Sequence, residues 1–244
     1  MLQSPLQPRP FTLGRGKDVS VTEPVVSVVE VASDTEDNSK AQQRQRQPDD
    51  VDLAISRLDL NATHMKSSPY DDPVNHLNLQ ELELPYRLFA LALTQFNNIR
   101  PDYATAPYVE SFNLPFVFSV LRRLCERHGI HWQRTEFYLV IFRSQLHRTA
   151  DRVRLGELDK NSHEEACASG GLLTYWFGSP DADMRNLATC IWRNRADAAA
   201  GGKGPEHRKA RMSAREMYES ISFHTHKLVV EEGAMSWHLE DYRD

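Results

Sequence analysis

Between Glu136 and Glu231 the spacing of apolar residues changes from stretch to stretch, and each change marks an element. In Phe137 to Leu146 (FYLVIFRSQL) both alternating sets, Phe137/Leu139/Ile141 and Tyr138/Val140/Phe142, are apolar until Arg143 and Ser144, which is the pattern of a strand covered on both faces. Thr149 is placed to cap a helix running to about Ser169, with Leu155, Leu158, Ser162 and Ala166 on a narrow inward stripe and Gly170 and Gly171 to end it. Leu172 to Phe177 (LLTYWF) and Asn186 to Trp192 (NLATCIW) read as strands, joined antiparallel through the Gly, Pro and Asp of residues 178–185. Asn194 and Asp197 open a helix that Gly201, Gly202 and Gly204 interrupt and Pro205 restarts, with Ala210, Ala214, Met217 and Ile221 turned inward. His224 to Glu231 closes the unit as a strand. The order predicts an α+β fold with a ferredoxin-like βαββαβ core, its helices on one face of an antiparallel sheet.

Upstream, Leu82 to Phe96 is apolar throughout and long enough to favour a buried helix. Asn113 and Pro115 begin another, with Val117, Val120, Leu121 and Leu124 at helical spacing and Gly129 at its end. The connection from Asn97 to Tyr108 is too long for a tight helix hairpin. Residues 1–73 are poor in aromatics and rich in Gln, Pro, Ser and Asp, so they bury too little apolar surface to offset chain entropy and read as a disordered tail. The division expected is therefore a tail over 1–73, an accessory helical segment over 74–135 and the core over 136–244. Within the tail, Val25, Val26, Val28 and Val29 form a short β-branched run followed by Asp34, Glu36 and Asp37. That is the form of a SUMO-interacting motif, which adds a strand to a SUMO-like partner's sheet edge, although an apolar island arising by chance has the same look.

The runs VIFRSQL, LLTYWFG, ATCIW and ADAAAGGKGPEHRKAR, with Trp192, Asp197 and Pro205-Glu206-His207, resemble the dimeric α+β barrel of the antibiotic-biosynthesis-monooxygenase type. From about Leu84 onward, LPYRLFALALTQFNNIRP, RTEFYLVIFRSQL, SGGLLTYWFG and RNLATCIWR also resemble an uncharacterised fungal protein family. The barrel resemblance implies a homodimer that buries the helix-free sheet face. Haem-degrading members of that superfamily use a Trp and a His on the second helix; the matching positions here are Gly201 and Arg211, so haem is not implied.

Composition adds limits. The chain has 244 residues, 40% of them hydrophobic, and a net charge of −5, enough for one core with accessory segments. It has no apolar run of membrane-spanning length, and Met1 to Lys17 is interrupted by Pro5, Pro8 and Pro10, so a cytoplasmic protein, with access to the nucleus, is expected. Cys125, Cys167 and Cys190 lack CxxC spacing and read as reduced thiols. His224 and His226 form a lone His-x-His, and no metal or other cofactor is expected. RNA-recognition domains share the βαββαβ order, but residues 136–232 carry 14 basic and 14 acidic side chains and lack the aromatic-basic signature, which excludes nucleic acid as a partner. What stands out is aromatic. Trp176 and Trp192 on paired strands, with His207, Arg143 and Tyr218 as polar neighbours, are the candidate ligand-binding residues for a small hydrophobic molecule, while aromatic strand positions also serve as ordinary core. Two function classes stay open: an enzyme or binder acting on a hydrophobic metabolite, oxygenase-like or otherwise, and a non-catalytic interaction protein that recruits partners through its tail.

Overall fold

The computed structural model describes residues 49–242. Val25, Val26, Val28 and Val29 lie outside them. Helix α1 (49–56) leads to a two-stranded ribbon of β1 (His64–Lys66) and β2 (His76–Asn78). Helices α2 (Leu84–Leu93), α3 (Tyr108–Ser111) and α4 (Leu114–His128) follow. Then come β3 (Thr135–Leu146), α5 (Arg152–Ser169), β4 (Leu172–Phe177) and β5 (Arg185–Trp192). The chain continues through α6 (Arg195–Gly201), α7 (Pro205–Met217), β6 (Tyr218–Val230) and β7 (Trp237–Asp241). The five-stranded sheet has the order β4-β5-β3-β6-β7, with every pair antiparallel. Its first four strands have the ferredoxin-like arrangement expected from the pattern.

Three elements depart from that pattern, each for a local reason. Helix α5 is capped by Asp151 in place of Thr149, its carboxylate accepting from the N–H groups of Val153 and Arg154. Strand β6 starts at Tyr218, so Ile221 is a strand residue, because β6 pairs along the whole of β3 from Thr135↔Val230 to Leu146↔Tyr218. Strand β7 adds to its outer edge through Val230↔Trp237 and Leu228↔Leu239.

The two faces of β3 are covered differently. Phe137, Leu139 and Ile141 are 2%, 1% and 4% exposed. They meet α2 and α4, whose inward residues are large: Leu88, Phe89 and Leu91 on one, Val117, Phe118, Leu121 and Leu124 on the other. The ring of Phe89 lies 4.4 Å from that of Phe137, with Trp132 and Tyr86 at its other sides. Burial of each such side chain contributes about 1.5–3 kcal/mol. The face that the barrel resemblance assigns to a second copy is thus covered by this chain's own helices.

Residues 49–73, grouped with the tail by composition, fold onto this body. Val51, Ala54 and Ile55 of α1 are buried, and Asp52 accepts from Arg123 and Arg127 of α4 at 2.9 Å each. An apolar island this short is too small to stand alone, but against an existing helix it needs to form no core of its own. Further on, Ser67 O accepts from Tyr175 N at 2.8 Å and from Thr174 Oγ1 at 3.2 Å, closing the edge of β4.

Candidate functional site

On the opposite face, α5, α6 and α7 bury mostly small or polar residues, Ser162, His163 and Ala166, then Gly201, then Ser213, with Met217 the one large apolar side chain among them. Small inward residues cover a sheet face less completely than large ones do. The strand residues beneath them accordingly keep accessible surface. Tyr138, Val140 and Phe142 of β3, Tyr175 and Phe177 of β4, Ala188 and Cys190 of β5 and Thr225 of β6 are all half-buried. By register they form rows across one face: Tyr175–Cys190–Val140–Thr225 and Phe177–Ala188–Phe142–Phe223. The result is an aromatic and aliphatic sheet face beneath α5–α7, partly packed against Ala166, Leu172 and Trp192 and edged by Phe223, which is 60% exposed.

Asp159 of α5 is the polar centre of this side. Its Oδ1 accepts from the hydroxyl of Tyr175 at 2.7 Å and its Oδ2 from the hydroxyl of Tyr70. Burial pushes the Asp159 carboxyl above its usual range, while the two hydroxyls and the charge of His207 pull it back. Both phenols are raised by their own burial and by the Asp159 charge, so they stay protonated and act as donors. One turn along α5, His163 is 4% exposed, and burial lowers its pKa to about 4, leaving the ring neutral at physiological pH. Its Nδ1 lies 2.7 Å from Oδ1 of Asn75, and with the proton on Nδ1 donated to that carbonyl, Nε2 carries the lone pair. His163 packs 5.2 Å from both Tyr70 and Tyr175, ring centre to ring centre, and Phe177 completes the group at 5.9 Å and 5.6 Å from the same two. Cys167 and Cys190 beside it are pushed up to about 12 by burial, which makes them poor nucleophiles.

The five residues chosen from the sequence divide between the two faces. Trp176 and Arg143 lie on the side of the sheet that faces the accessory segment. The indole of Trp176 packs edge-on against Tyr103 and Phe112 at 5.2 and 4.9 Å. Arg143 donates to the carbonyls of Tyr103, Ala104 and Ala106, tying down the connection between α2 and α3. Trp192, Tyr218 and His207 are on the helical side. Trp192 is 5% exposed, donates from Nε1 to Cys190 Sγ at 3.1 Å and packs with Ala166 and Leu172. A Cβ on Gly201 would come within 2.3 Å of its indole, so α6 needs that glycine to lie against it. Tyr218 packs edge-on to Phe142 at 5.7 Å, and its hydroxyl is raised to about 12 by burial and then by Asp159. His207 sits in the first turn of α7, where Glu165 accepts from its backbone N–H at 2.9 Å and from that of Glu206 at 2.7 Å, with the ring Nδ1 at 3.1 Å.

Asp159, His163, Tyr175, Tyr70 and Asn75 are the group that sequence reasoning passes over. A signal was present: Asp159, Ser162, His163 and Ala166 follow helical spacing, so a carboxyl and an imidazole share the stripe that faces the sheet. Tyr70 and Asn75 had no comparable signal, since they arrive from a segment about 90 residues upstream. Among the described residues no group of three or more His, Cys, Asp or Glu side chains is arranged to hold a metal ion. Nor is any helix there long and apolar enough to cross a membrane.

Residues 66–241, from β1 through β7, match the model of the PB2B2.08-like family. The chain belongs to that family. Its relative UPF0643 protein PB2B2.08 of Schizosaccharomyces pombe is 35% identical over 182 residues, covering 71% of this chain and 82% of that protein. Tyr70, Asn75 and Asp159 therefore all lie within the family match. Among solved structures, a protein of the antibiotic biosynthesis monooxygenase type from Nitrosomonas europaea is 18% identical, covering 36% of this chain and 94% of its own, with a TM-score of 0.32. SnoaB, a cofactor-independent oxygenase from Streptomyces nogalater, is 10% identical over 37% of this chain and 90% of its own, with a TM-score of 0.31. Likeness at this level carries no argument about activity.

Proposed function

We propose that the chain binds, and acts by acid–base chemistry on, a small hydrophobic molecule held in a cleft that opens between the sheet and α5–α7. Asp159 is the group that orients the molecule and can accept a proton from it, Tyr70 and Tyr175 hold the carboxylate in place, and Trp192 and Tyr218 shape the ends of the cleft. The observation that carries this reading is the Asp159 carboxyl, deep in the fold, hydrogen-bonded by two phenolic hydroxyls on different oxygens and set beside a neutral imidazole. An inward carboxyl of this kind contributes little to stability, because its desolvation opposes folding, and groups of that description cluster at functional sites. His207 stands at the rim, its ring Nδ1 3.1 Å from Glu165.

The functional unit in this reading is one chain, since α2 and α4 already occupy the face that a barrel dimer would bury. A homodimer would use a different surface, and sedimentation at tens of micromolar tells the two apart.

Native mass spectrometry of the full chain purified from its own host tests the proposal. A bound organic molecule that is absent from the Asp159→Asn protein is the expected result. Cys190→Phe, which places a ring on the cleft floor, should also displace it while leaving the melting temperature intact. A chain that carries nothing from its host, together with a Cys190→Phe variant destabilised like an overpacked core, would end the reading.

A further inference from the structure

The sheet has two edges, and the chain treats them differently. At the β4 edge Tyr175 N and Thr174 Oγ1 donate to Ser67 O, so an upstream segment of the same chain covers that strand. At the far end β7 pairs with β6 alone among the described residues. The bonds at its two ends fix which of its groups are used. Ser236 O accepts from Glu231 N at 2.9 Å, and Tyr242 N donates to Thr225 O at 3.3 Å. Backbone groups of alternate residues face opposite sides of an antiparallel strand, so His238 and Glu240 bond to β6 while Trp237, Leu239 and Asp241 turn their N–H and C=O groups outward. Such a row is a template for a further strand.

The side chains select which strand. His238 is exposed, Glu240 is half-buried, and the two share a face, with His238 Nε2 3.1 Å from Glu240 Oε1. A two-fold axis through Leu239 lays a second β7 alongside, antiparallel, with all five residues of the strand paired. Leu239 then exchanges backbone bonds with Leu239 of the second copy, and Trp237 with its Asp241. His238 comes opposite Glu240 of the second copy, and Glu240 opposite its His238, so that acid and base alternate around the seam. Sliding the copy to the next register that uses the same outward groups sets either His238 against His238 or Glu240 against Glu240. Charges on an edge strand ordinarily keep other strands away. These are arranged to admit this one. On the other face Leu239 and Trp237, both half-buried, gain cover, the indole being already stacked on Phe118 of α4 at 5.4 Å.

We infer that β7 is the contact between two copies of this chain, which pair edge to edge about Leu239 and join their sheets into one. This holds whether or not α5–α7 shelter a ligand.

Sedimentation velocity of the full chain at tens of micromolar should give a dimer. Asp241→Pro removes one outward N–H and leaves the bonds between β6 and β7, and its carboxylate is 84% exposed in its contact with His226. The dimer should weaken at least about ten-fold with the melting temperature nearly unmoved. His238→Glu sets like charges across the seam and should weaken it about ten-fold, and adding Glu240→His should restore it. Leu239→Cys locates the contact even if Asp241→Pro does not fold. Paired Cα atoms at that position stand about 5.5 Å apart, within reach of a disulfide, so mild oxidation should link two chains, whereas Val153→Cys, at a site 74% exposed, should not link them. A monomer would overturn the proposal, and slow exchange of its Leu239 amide would show another segment of the chain on this edge. A dimer that survives Asp241→Pro and does not link through Leu239→Cys would lie on another surface and overturn it equally.

Discussion

The two faces of one strand show how the same kind of residue is used in two ways. Leu139 and Val140 are neighbours in β3, yet Leu139 is 1% exposed beneath α2 and α4 whereas Val140 keeps accessible surface beneath α5–α7. Large residues line the first helical layer, and mostly small or polar ones, with Met217, the second. A filled interface gives stability, and in the proposed reading the less completely covered one opens for a ligand. In that reading the chain separates the two tasks by face.

Substitutions can break that comparison. The largest effect is expected at Phe137→Ala, where the cavity under Phe89 and Trp132 should cost about 3–5 kcal/mol in urea unfolding, against about 1 kcal/mol for Val140→Ala on the open side. Equal losses would mean that both faces are packed alike. The second is a pH dependence. His163 titrates at about 4 in the folded chain and near 6.5 when unfolded, so between those values the unfolded chain binds the extra proton. Its contribution to stability is complete above pH 6.5 and is lost as pH falls towards 4, by up to about 3 kcal/mol, which the difference between the wild-type and His163→Gln unfolding curves isolates. Third, Leu187→Phe should lose about 1–3 kcal/mol through overpacking beneath the accessory layer, while Cys190→Phe on the same strand but the other face stays within about 1 kcal/mol of the parent. Smallest is His207→Gln: Glu165 still accepts from the backbone of α7, so thermal unfolding should move by less than about 1 kcal/mol while ligand affinity changes. An unaltered affinity would remove His207 from the site.

Much of the fold was legible in the sequence because it rests on local signals. The doubly apolar run at Phe137–Phe142 announced a strand covered on both sides, Gly129 a helix end at φ 63°, and the glycines around 201–204 a broken second helix. The site was less legible. Aromatic content drew attention to Trp176 and Trp192, which pack, and away from Asp159, whose role depends on what lies opposite. A burial pattern tells which side of a helix faces inward, but whether the space beyond is filled depends on side chains from distant segments. Arg143 illustrates the same limit: a charged residue interrupting an apolar strand has the look of a site, and its function here is to hold three loop carbonyls.

The bonds that join residues 67–75 to the core have a further consequence in time. Tyr70 reaches Asp159 across 89 positions of chain and Asn75 reaches His163 across 88. Closing a loop of that length costs about 4 kcal/mol of chain entropy, which favours completing the sheet before this wall docks. The same order applies in reverse to the native protein. The segment is held to β4 by the Tyr175 N–H bond to Ser67 O and by the Thr174 hydroxyl, so it can detach without parting any strand from its neighbour. In hydrogen exchange the amide of Tyr175 should therefore open sooner than that of Leu139 in the middle of the sheet. The wall of the cleft would then also be its door, and the rate at which it swings would set how quickly a bound molecule leaves.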